Sequence, residues 1–166
     1  MRVKITFGYH GGHFYGFQQQ TQTGNTVIGT LSTALKRLHI EDIPKGSGRT
    51  DRGVHATHQV VHLDLPLFWN DLNRLKEMLN LQLPSSIRIQ KVEVVSNEFH
   101  ARYSAKKRTY RYVFKIGQPT PFESELVTFI PSLNQNAIKE AIGLFKGTHN
   151  FEYFKKTGSD TENHMR

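Results

Sequence analysis

An α+β fold, with antiparallel sheet covered by helices on one face, is predicted by three features of the sequence. Apolar and polar residues alternate in several short runs, and apolar residues recur at helical spacing in three longer ones. The runs follow one another as strand, helix, strand, strand, helix, strand, strand, helix, an order that resembles ferredoxin-like or RNP-like α+β halves. The elements after the first half are too few to close a second sheet, so the second half is expected to be incomplete.

Each element has a local reason. Val3, Ile5, Phe7 and Tyr9 alternate with Arg2, Lys4 and Thr6, a strand with one buried face. The loop HGGHFYGFQQQTQTGN follows, in which Phe14, Tyr15 and Phe17 suit either a binding loop or packing onto the core. Val27, Leu31, Leu35 and Leu38 then recur at helical spacing behind Asn25 or Thr26 as cap. A short strand over 43–46 leads into a glycine-rich turn, after which Val61, Leu63 and Leu65 alternate with Val60, His62 and Asp64 until Pro66.

A second helix is expected from Asn70 or Asp71, with Leu72, Leu75 and Leu79 on one face. Ile87, Ile89, Val92 and Val94 mark a strand whose change of phase predicts a bulge. RTYRYVFKI reads as a long strand. A third helix from Asn134 turns Ala137, Ile138, Ala141, Ile142 and Phe145 inward and stops at Gly147. The lobes are expected to be 1–100 and 101–166, the second starting but not finishing its fold.

The chain has 166 residues, 37% hydrophobic, enough for a core. Its 22 Lys and Arg outnumber 14 Asp and Glu, a formal charge of +8 that favours a polyanionic partner. It has no cysteine, which excludes disulfides, thiolate metal sites and cysteine nucleophiles. The opening MRVKITFGYH is not patterned as a signal peptide, and no window is long enough to span a membrane, so a cytoplasmic protein is expected.

Two constellations can carry chemistry. In GSGRTDRGVHA, Asp51 stands between Arg49 and Arg52, and the two cations favour its ionised form. An ionised carboxylate on a glycine-flanked loop suits nucleophilic or electrostatic work, while the arginines suit phosphate or base contacts. The same residues also suit a tight turn with Gly53 at positive φ. In FHARYSAKKRTYRYVFK, Arg102, Lys106, Lys107, Arg108, Arg111 and Lys115 alternate with Tyr103, Tyr110 and Tyr112, and no acid interrupts them. Cations for phosphate and rings for stacking are what RNA recognition requires. His58, His62 and Asp64 share a strand face, but His58 and His62 are too far apart on an extended strand to share an ion; no metal site is expected.

GRTDRGVHA over 48–56 resembles the catalytic signature of the TruA family of tRNA pseudouridine synthases. YHGGHFYGFQQQ is similar to a second motif of that family, with His10 and Phe17 where Asp and Trp are usual. FHARYSAKKRTYRYVF and GTHNFEYF resemble two later motifs, in the same order. The resemblance implies a pseudouridine synthase fold and an isomerase, of the intramolecular transferase kind, acting on uridines 38–40 of the tRNA anticodon arm. It implies Asp51 as the catalytic residue, attacking uracil C6 or ribose C1′, Arg49 as the residue that displaces the target nucleotide, and Tyr110 as the ring against the uracil. Arg52, Arg102, Arg108 and Arg111 are the further expected substrate contacts. No metal or organic cofactor is implied, and the partners are tRNA and a second copy of the chain. In the family an arginine that pairs with the aspartate and an apolar pocket residue lie past the equivalent of Arg166. A C-terminally truncated chain is therefore expected, and a non-catalytic RNA-binding fragment is the alternative.

Overall fold

The structure, a computed structural model, describes residues 1–155 and 163–165; the rest of the polar tail, 156–162 and Arg166, lies outside them. The chain divides by its contacts into Met1–Tyr110 and Arg111–Arg166.

The first unit contains β1 (Arg2–Tyr9), α1 (Val27–Arg37), β2 (Lys45–Gly46), β3 (Ala56–Asp64), α2 (Leu72–Gln82) and β4 (Ile87–Val94). They form one antiparallel sheet in the order β2-β3-β1-β4, the ferredoxin-like arrangement expected from the element order. Period two in β1 puts Val3, Ile5, Phe7 and Tyr9 on the inner face, where Val61 and Leu63 of β3 and Ile87 and Ile89 of β4 join them. Leu31, Ala34 and Leu35 of α1 and Leu75 and Leu79 of α2 close the core from the same side. Each large side chain removed from water here contributes about 1.5–3 kcal/mol.

The helix starts follow their capping residues. Thr26 Oγ1 accepts from the Gly29 N–H at 3.0 Å, and an Asp71 carboxylate oxygen accepts from the Arg74 N–H at 2.9 Å. The expected bulge is at Gln90, since Thr6 pairs with Lys91 while Phe7 pairs with Ile89. Phe14 and Phe17 are buried and Tyr15 is 47% exposed, so the aromatic loop both packs and presents a ring.

The other sheet face carries the charge pairs Arg2–Asp64 and Lys4–Glu93, 2.9 and 2.8 Å apart. Part of it is roofed by residues after β4. Ala101 is buried, and its N–H donates to Nδ1 of His62, itself 2% exposed, at 3.1 Å. Arg2 also donates to the carbonyls of Asn97 and Phe99. Residues 101–110 fall within the contact unit Met1–Tyr110.

The second unit contains β5 (Phe114–Ile116), β6 (Thr128–Ile130) and α3 (Gln135–Gly143). β5 and β6 pair in parallel. The long strand expected over 108–116 is reduced to its last three residues, because only these find a ladder partner. α3 starts beside the expected Asn134, which caps it by accepting from the N–H groups of Asn136 and Ala137. The inward stripe is not realised: Ile142 is 63% exposed, and none of the described residues of this unit is buried.

Candidate active site

The Asp51 loop, residues 47–55, joins β2 to β3 and is anchored to the fold at several points. At its stem the Ser47 N–H donates to the Val60 carbonyl at 2.8 Å. Ser47 Oγ donates to Gln59 Oε1 at 2.7 Å, and Gln59 Nε2 donates to the Gly48 carbonyl at 3.1 Å. Gln59 is buried, so these bonds satisfy an amide that would otherwise be costly to desolvate.

Nearer the apex, Thr50 is held twice. Its hydroxyl shares a 2.8 Å hydrogen bond with the Tyr9 hydroxyl, and its carbonyl accepts from the Phe17 N–H at 3.0 Å. Tyr9 is the last residue of β1 and is 5% exposed, and burial pushes its phenol above the ordinary value. On the far side the Val54 N–H donates to the Asp51 carbonyl at 3.3 Å, with Gly53 at φ +82°, the position that a type II turn reserves for glycine. Gly11 lies flat against Val54: a Cβ there would stand 2.1 Å from the Val54 carbonyl oxygen. Its N–H donates to His55 Nδ1 at 3.1 Å.

These anchors do not involve the Asp51 side chain. Asp51 and Arg49 are exposed, and among the described residues neither side chain makes a hydrogen bond or ion pair. The flanking arginines therefore do not neutralise the carboxylate. Arg52 turns instead onto Tyr15, its guanidinium carbon 4.6 Å from the ring centroid. A bare carboxylate on a braced turn retains its lone pairs for an incoming substrate.

The remaining predicted residues are distributed unevenly. Arg102 is exposed beside Tyr103, 5.8 Å from its ring centroid. Arg108 reaches the loop stem, where Nε and Nη2 donate to the Ser47 carbonyl at 3.2 and 2.7 Å. Tyr110 ends the first unit with 77% of its surface exposed. Arg111 begins the second unit and is exposed. Of the strand histidines, His58 faces solvent and His62 is buried beneath Ala101.

Sequence reasoning missed Tyr9, Thr50 and Gln59 as loop supports. Gln59 left a signal, a long amide at an inward position of an alternating strand. Tyr9 left none, since alternation explains it as a core residue.

The sequence profile described as tRNA pseudouridine synthase matches residues 5–104. The chain is 40% identical to tRNA pseudouridine synthase A of Limosilactobacillus reuteri over 171 aligned residues, 99% of this chain and 66% of the relative. It is 40% identical to the protein of that name from Phytoplasma mali over 154 residues, 91% of this chain and 62% of the relative. With that of Streptococcus mutans it shares 38% over 170 residues, 100% of this chain and 68% of the relative. The chain thus spans about two thirds of the length of these relatives.

Proposed function

Because the chain belongs to the tRNA pseudouridine synthase family, we propose that it isomerises uridine to pseudouridine in tRNA with Asp51 as the nucleophile. The observation that carries this reading is the unpaired Asp51 carboxylate, exposed at the apex of a loop whose neighbours Thr50 and Val54 are pinned to the fold. The carboxylate adds to uracil C6 or ribose C1′, and the N1–C1′ bond breaks. The uracil turns, C5 bonds to C1′, the carboxylate is released, C5 loses its proton and N1 gains one. Atoms and electrons balance without an oxidant or reductant.

The target base must leave its stack to reach Asp51, at a cost of a few kcal/mol. Arg49, exposed two residues away, displaces the nucleotide, and the exposed ring of Tyr110 packs against the uracil. Arg52, Arg102 and Arg111 supply cations for the RNA backbone. The family resemblance supports uridines 38–40 of the anticodon arm as targets, a homodimer and a cytoplasmic site of action. Among the described residues no helix is long and apolar enough to cross a membrane. The lobe 1–100 carries the nucleophile in this reading, and 101–166 begins the second lobe.

The test is release of tritium from tRNA labelled at uracil C5, which accompanies each conversion. Steady release by the protein and loss by a factor on the order of 10³ or more in Asp51→Ala is expected. Retained release in Asp51→Ala overturns the nucleophile, and tRNA binding without release by the unaltered chain marks an RNA-binding role instead.

A further inference from the structure

We propose that Arg108 is a positioning residue for the Asp51 loop, its guanidinium clasping the loop stem at Ser47 to the 97–104 segment that roofs His62. The catalytic consequence rests on the reading of Asp51 as nucleophile; the clasp itself does not.

Two backbone carbonyls define the clasp. Nε and Nη2 of Arg108 both donate to the Ser47 oxygen, and Nη2 also donates to the Arg102 oxygen at 3.1 Å. Only Nη1 stands outside it. The fork is therefore directed at the protein, although the residue lies in a run of cations suited to phosphate.

The far end of the clasp is rigid because it is built on the sheet. The Ala101 N–H donates to His62 Nδ1, and the Phe99 ring meets His62 edge-on with centroids 6.1 Å apart. The Ser104 N–H donates to the His100 carbonyl at 2.8 Å, the His100 N–H to Ser104 Oγ at 3.1 Å, and the Arg102 N–H to His100 Nδ1 at 3.2 Å. This turn fixes the Arg102 carbonyl that Arg108 uses. The stem is thus braced from two sides, by buried Gln59 through Gly48 and by Arg108 through Ser47, four residues before the nucleophile.

A clasp and a phosphate contact predict different behaviour. Lysine keeps the charge but, as a single ammonium on a flexible stem, does not reproduce a planar fork. Amide exchange at Val54 and Phe17, whose N–H groups bond the Asp51 and Thr50 carbonyls, reports the loop without RNA. Amides of β1 and β3 are the internal reference. In both Arg108→Lys and Arg108→Gln the loop amides are expected to exchange about tenfold faster relative to that reference, as for one or two lost hydrogen bonds. The salt slope of tRNA binding stays constant, and kcat falls while KM holds. Arg108 is exposed and water replaces it at both carbonyls, so the fold is retained.

Unchanged loop exchange, with a salt slope reduced by about one in Arg108→Gln, overturns the proposal in favour of a phosphate contact. An equal rise in loop, β1 and β3 amides also overturns it, marking a general stabilising role. If the unaltered protein binds no tRNA, the proposed function fails while the exchange result still decides the clasp.

Discussion

Asp51 is the exposed tip of a loop that rests on buried residues of the first sheet, Tyr9 and Gln59 among them. The Tyr9 hydroxyl is one support, and Tyr9→Phe removes its hydrogen bond with Thr50 while keeping the ring in the core. The expected loss is about 0.5–1.5 kcal/mol in urea denaturation, and turnover should fall further than this stability change explains. An unchanged turnover would show that Thr50 needs no hydroxyl partner. Gly11 is the second support, through backbone contact. Gly11→Ala sets a methyl into the Val54 carbonyl, and an overpacking cost of about 1–3 kcal/mol is expected on the same measurement. A neutral result would mean that the loop shifts without penalty.

The elements obey local rules where their partners are close in the chain. Thr26 caps α1 with a buried hydroxyl, so Thr26→Ala should cost about 1 kcal/mol by thermal or urea unfolding. Asn134 makes the same kind of cap on α3, but that helix buries none of its residues. Asn134→Ala should therefore leave the main unfolding transition within about 0.5 kcal/mol. The sequence left the α1 cap between Asn25 and Thr26 and marked Asn134 only as the start of the third helix. The worth of the two caps differs because a helix in a protein is stabilised chiefly by the face it packs. The bulge at Gln90 was legible too, since a phase change in alternation has few other backbone solutions.

At the scale of the molecule, His62 couples the roof of the first unit to pH. Burial, followed by the nearby His100, Arg2 and Lys45 charges, holds its imidazole below the ordinary value of 6.5. The unfolded chain therefore binds the proton more readily than the folded one. Stability is complete above about pH 6.5 and falls as the pH drops below it, because protonation of Nδ1 removes the acceptor for the Ala101 N–H. Denaturation midpoints between pH 5 and 8 should show this slope, and His62→Asn should flatten it. A slope unchanged in the variant would assign the effect to another group.

The strands of the first sheet, the helix starts, the bulge and the Asp51 turn were readable in the chain because each depends on residues within a few positions of one another. β6 (Thr128–Ile130) was not read, and the strand expected over 108–116 kept only its last three residues. Side-chain period, capping chemistry and positive φ are local properties. The covering of the outer sheet face and the direction of the Arg108 guanidinium were settled only by folding. The His62–Ala101 bond joins residues 39 apart and the Arg108–Ser47 bond residues 61 apart. A cation in a basic run has the same sequence signature whether it faces phosphate or a carbonyl, and only the packed chain decides which acceptor comes within reach.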